Sequence, residues 1–313
     1  MSNKLMVSPA PHFKDTATTG TIMADVLIAM APAVIAATII FGFRALLMTA
    51  VCAASCVVFE YLTRRVLKRS NTISDLSAAV TGVLLALNLP VQLPFWMAVV
   101  GCLFAIVIVK QLFGGIGHNF ANPAIAARIF LLLSFSQPMT TWLAVPVTAE
   151  KVVGATPLAL MAQAREGAEV AMPSVTDMFL GNIGGSMGET CALALIIGGV
   201  YLIVRRVITP TIPVAFIGGV AVLALLFGES PIEHILTGGV MIGAFFMATD
   251  YTTSPVTEKG KIIFGLGCAF LTMVIRMFGS YPEGVSYAIL LMNIITPLIN
   301  RATKAKAFGG VQA

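Results

Sequence analysis

Long apolar stretches alternate with short polar connections along almost the whole chain. Ten of these stretches approach the roughly 20 residues with which an α-helix crosses a bilayer. They are Ile22–Phe41, Leu46–Leu62, Leu76–Leu89, Phe95–Val109, Ala121–Phe135, Cys191–Val204, Ile212–Phe227, His234–Thr249, Ile262–Phe278 and Val285–Ile299. The pattern predicts an all-α integral membrane protein with about ten transmembrane helices.

The spans form two sets of five on either side of a longer polar interval. Because five is an odd number of crossings, the second set is expected to lie upside down relative to the first, as in transporters built from inverted repeats. The predicted sections are a first repeat at 1–135, a polar outer-side connection at 136–190, a second repeat at 191–300 and a cytoplasmic tail at 301–313.

The third and eighth spans stand at matching positions of the two sets, and both are short. Each contains a Thr-Gly pair, Thr81-Gly82 in the third and Thr237-Gly238 in the eighth. Short or broken spans at such positions indicate a central site, because their free helix ends present backbone dipoles inside the membrane. The alternative is a pair of ordinary short spans in a locally thin bilayer.

Composition agrees with the membrane class. Hydrophobic residues make up 58% of the chain and charged residues 11%, with a mean hydropathy of +0.94. A soluble domain has roughly 25% charged residues. The net charge of +5 does not indicate a nucleic-acid binder, because the basic residues stand in short runs beside the spans.

These basic residues predict the orientation of the chain in the membrane. With the N-terminus inside, fourteen lysines and arginines fall on the inner side and four on the outer side. We therefore expect a multi-pass protein of a prokaryotic cytoplasmic membrane, with both termini in the cytoplasm. The inner set is Lys4, Lys14, Arg64, Arg65, Lys68, Arg69, Lys110, Arg205, Arg206, Lys259, Lys261, Arg301, Lys304 and Lys306, and the outer set is Arg44, Lys151, Arg165 and Arg276.

Neither a metal site nor a cleaved signal peptide is predicted. The five cysteines lie in or beside apolar stretches and form no CxxC pair or Cys/His cluster, so we interpret them as small hydrophobic residues. The first 20 residues are polar and lead into the first span without a small-residue cleavage signature.

A glycine-rich segment, GNIGGSMGET at 181–190, directly precedes the sixth span. Glycine backbone offers N–H groups without side-chain cover, the following helix adds a positive N-terminal dipole, and Ser186 and Thr190 add hydroxyls. These are features of a phosphate site. The alternative is a glycine-rich turn whose Ser, Glu and Thr cap a membrane helix.

Four sequences resemble one family of membrane redox subunits. GGSMGETCALALIIGG is similar to a segment of the D subunit of the Rnf complex and of the related B subunit of the sodium-pumping NADH:quinone oxidoreductase. GGIGHNFANPAIAARIF at 114–130, MATD at 247–250 and the opening TIMADVLIAMAPAVIAATIIFGFRAL also resemble these subunits. The B subunit typically begins with a longer extension, so the Rnf D subunit is the closer match.

The resemblance implies flavin mononucleotide (FMN) joined by a phosphoester to Thr190, on the outer side of the membrane. It also implies that Gly184, Gly185 and Gly188 let the backbone approach the phosphate, with Ser186 beside them. Glu189 would assist the separate flavin-attachment enzyme or coordinate a metal during attachment. The alternative for Glu189 is a solvated carboxylate at the start of a helix.

The resemblance further implies a redox subunit that is not catalytically complete alone. It would belong to an Rnf-type complex that passes electrons between ferredoxin and NAD and moves Na⁺ or H⁺. No GxGxxG motif follows a predicted strand here. The NAD and ferredoxin sites are therefore expected in partner subunits, which would also carry iron–sulfur clusters and flavin.

Polar residues within or at the ends of the spans are candidates for a second site. A charge at the bilayer centre costs roughly 2.5–3.5 kcal/mol on insertion scales and is kept mainly for function or pairing. Arg128 has no acid nearby in sequence, and Asp25, Asp75 and Asp250 are expected either to pair with it across the bundle or to line an ion path. The candidate site, for the coupling ion or a second, non-covalent flavin such as riboflavin, comprises Asp75, Asn88, Asn119, Asn122, Arg128, Thr249 and Asp250. The alternative is that Asp75, Asn88 and Asp250 cap the third and eighth helices, and that Asn119 and Asn122 satisfy backbone groups at the entry to the fifth span.

Three functions remain open from the sequence. The first is the flavin-carrying, ion-coupling subunit. The second is a stand-alone solute or ion channel with inverted repeats, in which the GET triplet only caps a helix. The third is the quinone-reducing relative. The glycine-rich loop and Thr190 discriminate between the first two, because a channel has no use for a covalent flavin.

Overall fold

The structure is a computed structural model that describes residues 17–143, 154–279 and 283–304. These residues form helices and connections, with no β-strand among them. The helices are α1 Thr19–Phe41, α2 Phe43–Val66, α3 Ser77–Leu87, α4 Phe95–Leu103 with a π-helical continuation Phe104–Gln111, α5 Pro123–Ser134, α6 Ser136–Met139, α7 Pro157–Arg165, α8 Val175–Leu180, α9 Ala192–Val204, α10 Thr211–Leu226, α11 Pro231–Leu236, α12 Val240–Ile242 with a π-helical continuation Gly243–Met247, α13 Glu258–Phe278 and α14 Val285–Ala302.

Four of these helices, α1, α2, α13 and α14, are long and apolar enough to cross a membrane. Five shorter helices are also apolar: Ser77–Leu87, Phe95–Gln111, Pro123–Ser134, Ala192–Val204 and Thr211–Leu226. The outward faces of the long helices carry large exposed hydrophobic side chains, which suits contact with lipid. The chain is therefore a multi-pass, all-helical membrane protein, as the hydrophobic pattern predicts.

The third segment is short and the eighth is broken, as their lengths and matching positions predict. Helix α3 has only 11 residues. The eighth segment is broken between α11 and α12, where Gly238 and Gly239 have φ angles of 68° and 72°. Only glycine adopts this left-handed backbone at no steric cost, so the two glycines set the position of the break.

Small residues allow close approach of the helices. A Cβ atom added to Gly82 of α3 would lie 2.6 Å from the Cα of Ala53 in α2, and one added to Gly198 of α9 would overlap the carbonyl oxygen of Ala29 in α1. Such contacts are typical of helices packed in membranes. They join α2 to α3 within the first half of the chain, and α1 to α9 between the halves.

The connection between the halves contains short helices. Thr156 caps α7, and Ser174 caps α8. Helix α14 ends at Ala302, two residues inside the predicted tail. Four residues of the charge count, Lys4, Lys14, Lys151 and Lys306, lie outside the described residues.

Candidate functional site

The glycine-rich segment closes the end of the short helix α3. The backbone N–H of Gly188 donates to the carbonyl oxygen of Leu87 at 2.6 Å, and that of Met187 donates to the carbonyl oxygen of Leu89 at 3.2 Å. A helix end leaves carbonyl groups without intrahelical partners, and the loop satisfies them here. A Cβ atom at Gly188 would lie 2.6 Å from the Cβ of Leu87. Glycine at this position therefore serves the close contact with α3, and its N–H is engaged there.

Thr190 lies at the end of this loop and has no exposed surface. Its Oγ1 atom is buried without a hydrogen-bond partner among the described residues. A buried hydroxyl without a partner costs about 1–3 kcal/mol. Replacing its hydrogen with a phosphoester would remove that unsatisfied donor, so the residue fits the predicted attachment of FMN.

The remaining loop residues surround Thr190. Gly185 lies over it, since a Cβ atom there would be 3.5 Å from Cγ2 of Thr190 and 3.7 Å from the carboxyl carbon of Glu189. The hydroxyl of Ser186 donates to Oε2 of Glu189 at 2.9 Å. Glu189 is only 6% exposed, so its interpretation as a solvated carboxylate is wrong. Gly184 lies farther away, against the carbonyl oxygen of Leu143.

The GET triplet does not cap the following helix. The N-cap of α9 is Cys191, which makes no side-chain cap hydrogen bond. Ser186 and Glu189 bond to each other, and the hydroxyl of Thr190 bonds to no described residue. The alternative of a simple helix cap is therefore wrong. The uncapped N-terminus of α9 instead leaves its positive dipole end beside Thr190, where it would stabilise a phosphate.

Arg128 of α5 lies in a second polar group near the end of α3. Its guanidinium donates to Oδ1 of Asn88 at 3.2 Å and to Oγ of Ser286 at 3.0 Å, and it pairs with the carboxylate of Glu283. Asn88 is the C-cap of α3, between the two residues that hold the glycine-rich loop. The polar group therefore joins α5, α3 and the start of α14.

The expectation that Asp25, Asp75 or Asp250 pairs with Arg128 is wrong, because each aspartate is engaged elsewhere. Asp25 accepts hydrogen bonds from Tyr201 at 2.8 Å and Arg205 at 3.2 Å. Asp75 accepts from the hydroxyl of Ser77, and Asp250 accepts from that of Thr253. Arg128 pairs instead with Glu283, which is 155 positions away in the sequence.

Arg276 has a structural role that the sequence did not predict, since the charge count treats it as an outer-side charge. The side chain is buried, with the residue 2% exposed, and it donates to the carbonyl oxygens of His234 at 2.6 Å and Thr237 at 2.9 Å. These carbonyls belong to the break between α11 and α12, so Arg276 satisfies the interrupted backbone. The available signal was an arginine inside an apolar span.

A cavity of about 350 Å³ lies at the other end of the bundle. It brings together four of the predicted residues, Asn119, Asn122, Thr249 and Asp250. Burial raises the pKa of the Asp250 carboxyl. Oδ1 of Asn119 is buried without a hydrogen-bond partner among the described residues, which leaves an acceptor for a ligand. The predicted residues thus divide between this cavity and the Arg128 group, with Asp75 behind the cavity wall.

Two of the cavity residues also organise the backbone. Oδ1 of Asn122 accepts the N–H groups of Ala124 at 3.0 Å and Ile125 at 3.4 Å, which caps α5. The hydroxyl of Thr249 donates to the carbonyl oxygen of Phe245 at 2.7 Å. The predicted structural role at the entry to the fifth span is therefore confirmed for Asn122. Of the four predicted cavity residues, Asn119 is the one whose side-chain oxygen has no partner among the described residues.

Lys110 also lines the cavity, although the charge count placed it in an inner-side connection. Its Nζ atom lies 2.7 Å from Oε2 of Glu60 and 2.6 Å from Oγ of Ser77. Lys110 is 2% exposed and Glu60 1% exposed, so this is a buried ion pair inside the bundle. The hydroxyl of Ser77 donates to Asp75 at 2.5 Å. Asp75 thus reaches the cavity only through Ser77 and Lys110.

No group of three or more His, Cys, Asp or Glu side chains with metal-binding geometry occurs in the described part of the chain. All five cysteines are free, and four of them are buried.

Comparison with known proteins identifies relatives over nearly the whole chain. The family model described as NQR2, RnfD, RnfE matches residues 6–309. The D subunit of the Na(+)-translocating ferredoxin:NAD(+) oxidoreductase complex of Acetobacterium woodii is 51% identical over 307 residues, covering 97% of this chain and 95% of the relative.

Two further relatives are also D subunits of such complexes. That of the proton-translocating ferredoxin:NAD(+) oxidoreductase complex of Clostridium ljungdahlii is 41% identical, covering 98% of this chain and 97% of its own length. That of the ion-translocating oxidoreductase complex of Stutzerimonas stutzeri is 37% identical, covering 92% and 91%. The family match and these identities show that the chain belongs to the NQR2, RnfD, RnfE family.

Proposed function

We propose that this chain is the D subunit of an Rnf-type complex that couples electron transfer between ferredoxin and NAD to movement of Na⁺ or H⁺. The observation that carries the proposal is the buried hydroxyl of Thr190, which has no hydrogen-bond partner among the described residues and lies beside the uncapped end of α9. The related D subunits support it, because the similarity covers nearly the full length of the chain. The NAD and ferredoxin sites belong to partner subunits with iron–sulfur clusters and flavin.

In this proposal FMN is attached to Thr190 through a phosphoester. When bound, FMN supplies one- and two-electron redox chemistry. The chain contributes position and charge. Gly185 places no side chain against Thr190, the α9 dipole would stabilise the phosphate, and the Ser186 hydroxyl fixes the carboxylate of Glu189 by donating to it.

The cavity beside Lys110 is proposed to take a second, non-covalent flavin. Its lining is mostly apolar, with a few polar groups at one side, as in sites for aromatic cofactors. The free acceptor on Asn119 suits a ring N–H group, and the buried ammonium of Lys110 suits a ring carbonyl oxygen. The residues proposed to hold it are Asn119 and Lys110, with Asn122, Thr249 and Asp250 completing the polar side.

The proposed architecture is ten spans in two inverted repeats. Its support is the correspondence of the short α3 with the broken α11–α12 segment, each closed by groups from elsewhere in the chain. The proposed location is a prokaryotic cytoplasmic membrane with both termini inside and Thr190 on the outer side. Removing the buried Lys110 and Arg276 from the charge count leaves the excess of inner-side charges in place.

Flavin fluorescence of the denatured protein tests the attachment. The protein is produced together with a flavin-attachment enzyme, as wild type, Thr190→Ala and Thr190→Ser, and separated on a denaturing gel. Fluorescence is expected in wild type and in Thr190→Ser, which keeps a hydroxyl, and its loss is expected in Thr190→Ala. A non-fluorescent wild type, in cells that modify another known acceptor, would refute the covalent flavin.

The second flavin is tested separately by measuring flavin released on denaturation. Asn119→Ala is expected to lower the released flavin by about tenfold, because it removes a hydrogen bond to the ring worth roughly 1–1.5 kcal/mol. Fluorescence bound to the chain should stay unchanged. Wild type without released flavin, or an Asn119→Ala protein with the wild-type amount, would count against the cavity as a flavin site.

A further inference from the structure

A second cavity, of about 340 Å³, lies next to the first at the end of the bundle that carries most of the basic residues. It is formed by the connection between α9 and α10 and by the residues that precede and begin α13. Its lining combines two cations, several hydroxyl groups and an apolar floor, and contains no acidic residue. The lining residues are Arg206, Val207, Ile208, Thr209, Ile212, Thr249, Tyr251, Ser254, Pro255, Val256 and Lys261.

Arg206 is the first of the two cations. Its backbone has a φ angle of 58°, which an arginine rarely adopts. None of the described acidic residues forms an ion pair with it. Its neighbour Arg205 pairs with Asp25, and Arg206 does not share that carboxylate. The charge of Arg206 is thus available to an anion in the cavity.

Lys261 is the second cation, and it is held in place. Its Nζ atom lies 3.1 Å from Oγ1 of Thr209 and 2.7 Å from Oε1 of Glu258. The side chain of Glu258 is 62% exposed and is not part of the lining. Lys261 therefore reaches the cavity from the first turn of α13 with its orientation fixed.

The backbone adds to the positive potential. Helix α10 begins at Thr211 after Pro210, with no side-chain cap hydrogen bond, and Ile212 in its first turn lines the cavity. The free N–H groups at a helix start favour anions. Two cations, the hydroxyls of Thr209 and Ser254 and a helix start together form the chemistry of a phosphate site.

Exposed apolar side chains around the cavity indicate which kind of phosphate compound it binds. Val256 on the rim is 80% exposed, and Val214 of α10 and Ile262 of α13 are 67% and 45% exposed. Exposed aliphatic side chains on membrane helices contact acyl chains. A phosphate that enters from this side is therefore one that is attached to lipid.

We propose that this cavity binds the phosphate headgroup of an anionic phospholipid, with Arg206 and Lys261 as the phosphate ligands. The site is independent of the flavin at Thr190. It shares four lining residues with the first cavity, Val207, Ile208, Thr249 and Tyr251. The hydroxyl of Tyr251 donates to the carbonyl oxygen of Val207 in this common wall. The lipid headgroup thus borders the cavity that contains Asn119.

Native mass spectrometry of the purified full-length protein in detergent tests the proposal, with titration by phosphatidylglycerol, phosphatidylcholine or inorganic phosphate. Arg206→Gln and Lys261→Gln are expected to weaken phosphatidylglycerol binding roughly fivefold each, and the double variant about 25-fold, because one basic residue at a membrane surface contributes about that factor. Phosphatidylcholine should bind more weakly to wild type, and inorganic phosphate should not displace bound phosphatidylglycerol.

Two matched variants remove the same charges elsewhere. Lys259→Gln removes an exposed charge two residues from Lys261 and outside the cavity lining. Arg65→Gln removes an exposed arginine at the end of α2. Both should bind phosphatidylglycerol like wild type. Equal losses in all four single variants would reveal non-specific surface attraction and overturn the site. Unchanged binding in the double variant would also overturn it, and displacement by inorganic phosphate would assign the site to free phosphate.

Discussion

At the scale of single residues, several of the buried charges in the described part of the chain stand in ion pairs. In three pairs both side chains are less than one-fifth exposed: Arg128 with Glu283, Lys110 with Glu60, and Arg64 with Glu60. A buried charge that loses its partner is strongly destabilising, at about 3–5 kcal/mol, whereas an exposed pair contributes roughly 0–1 kcal/mol. The buried and exposed pairs of this chain therefore give a direct comparison.

We expect Glu283→Gln to lower the unfolding free energy by about 3 kcal/mol, because the guanidinium of Arg128 would remain buried without its counter-ion. Arg128→Met should cost a similar amount. The double variant should cost less than the sum of the two by more than about 1 kcal/mol. Unfolding in mixed detergent, followed by circular dichroism, measures all three.

The exposed pair between Lys261 and Glu258 provides the control, since Glu258→Gln should change the unfolding free energy by less than about 1 kcal/mol. If Glu283→Gln behaved in the same way as Glu258→Gln, the Arg128 pair would not be a buried ion pair in the folded protein.

The sequence predicts part of this residue-level arrangement. Asn119, Asn122, Thr249 and Asp250 are grouped in the prediction because polar residues beside broken helices converge, and the structure brings them to one cavity. The partner of Arg128 was not predicted. Glu283 lies between the ninth and tenth predicted spans, and nothing in the sequence around it distinguishes it from other acids at span ends. Distant pairing depends on which helices pack together, which one sequence does not encode locally.

At the scale of elements, glycine determines how closely helices approach. Gly198 of α9 has no space for a Cβ atom because the carbonyl oxygen of Ala29 lies there, whereas Gly218 of α10 has nothing within 4 Å. Both glycines lie inside membrane helices, so one substitution probes packing and the other probes helix propensity alone.

Gly198→Ala is expected to lower the unfolding free energy by about 1–3 kcal/mol, because the added methyl group forces α9 away from α1. Gly218→Ala should be neutral or stabilising by up to about 1 kcal/mol, since alanine is the better helix former. Thermal unfolding of the two variants in one detergent gives the comparison. Equal effects would contradict the close α1–α9 contact.

The short α3 and the broken eighth segment were predictable from the length of the two segments, and only in the eighth does the structure break at its Thr-Gly pair. The π-helical turns at Phe104–Gln111 and Gly243–Met247 were not. A π-helical turn arises from one extra residue in the hydrogen-bond ladder, and no residue type signals it. Both turns occur in segments with residues on the first cavity, Lys110 in one and Phe245 with Phe246 in the other. This agrees with the frequent occurrence of π-helical turns at functional sites.

At the scale of the whole molecule, the positive-inside rule predicts which end of the bundle faces the cytoplasm. In a Cys191→Ala background, where the remaining cysteines are buried, single cysteines report each side. Glu169→Cys should react with a membrane-impermeant maleimide in right-side-out vesicles, and Lys304→Cys only in inside-out vesicles. The reverse labelling would invert the proposed topology.

The charge count predicts the orientation of the chain but not the role of each basic residue. The count treats every lysine and arginine as a surface charge, yet Lys110 and Arg276 are buried within the bundle, where they hold Glu60 and the break before α12. Both residues lie in otherwise apolar segments, where a charge needs a partner. The orientation stays a prediction, and its excess of inner-side charges does not depend on these two residues, whereas their individual roles depend on packing.

The complete burial of Thr190 has a consequence for the biogenesis of the protein. An attachment enzyme transfers its flavin only to a hydroxyl that its active site reaches, and this hydroxyl has no exposed surface once the loop is fastened to Leu87 and Leu89. Under the proposed function, flavin is therefore added while the loop is still undocked. The hydrogen bonds between the loop and α3 would then form after the flavin is attached, as the last step of maturation.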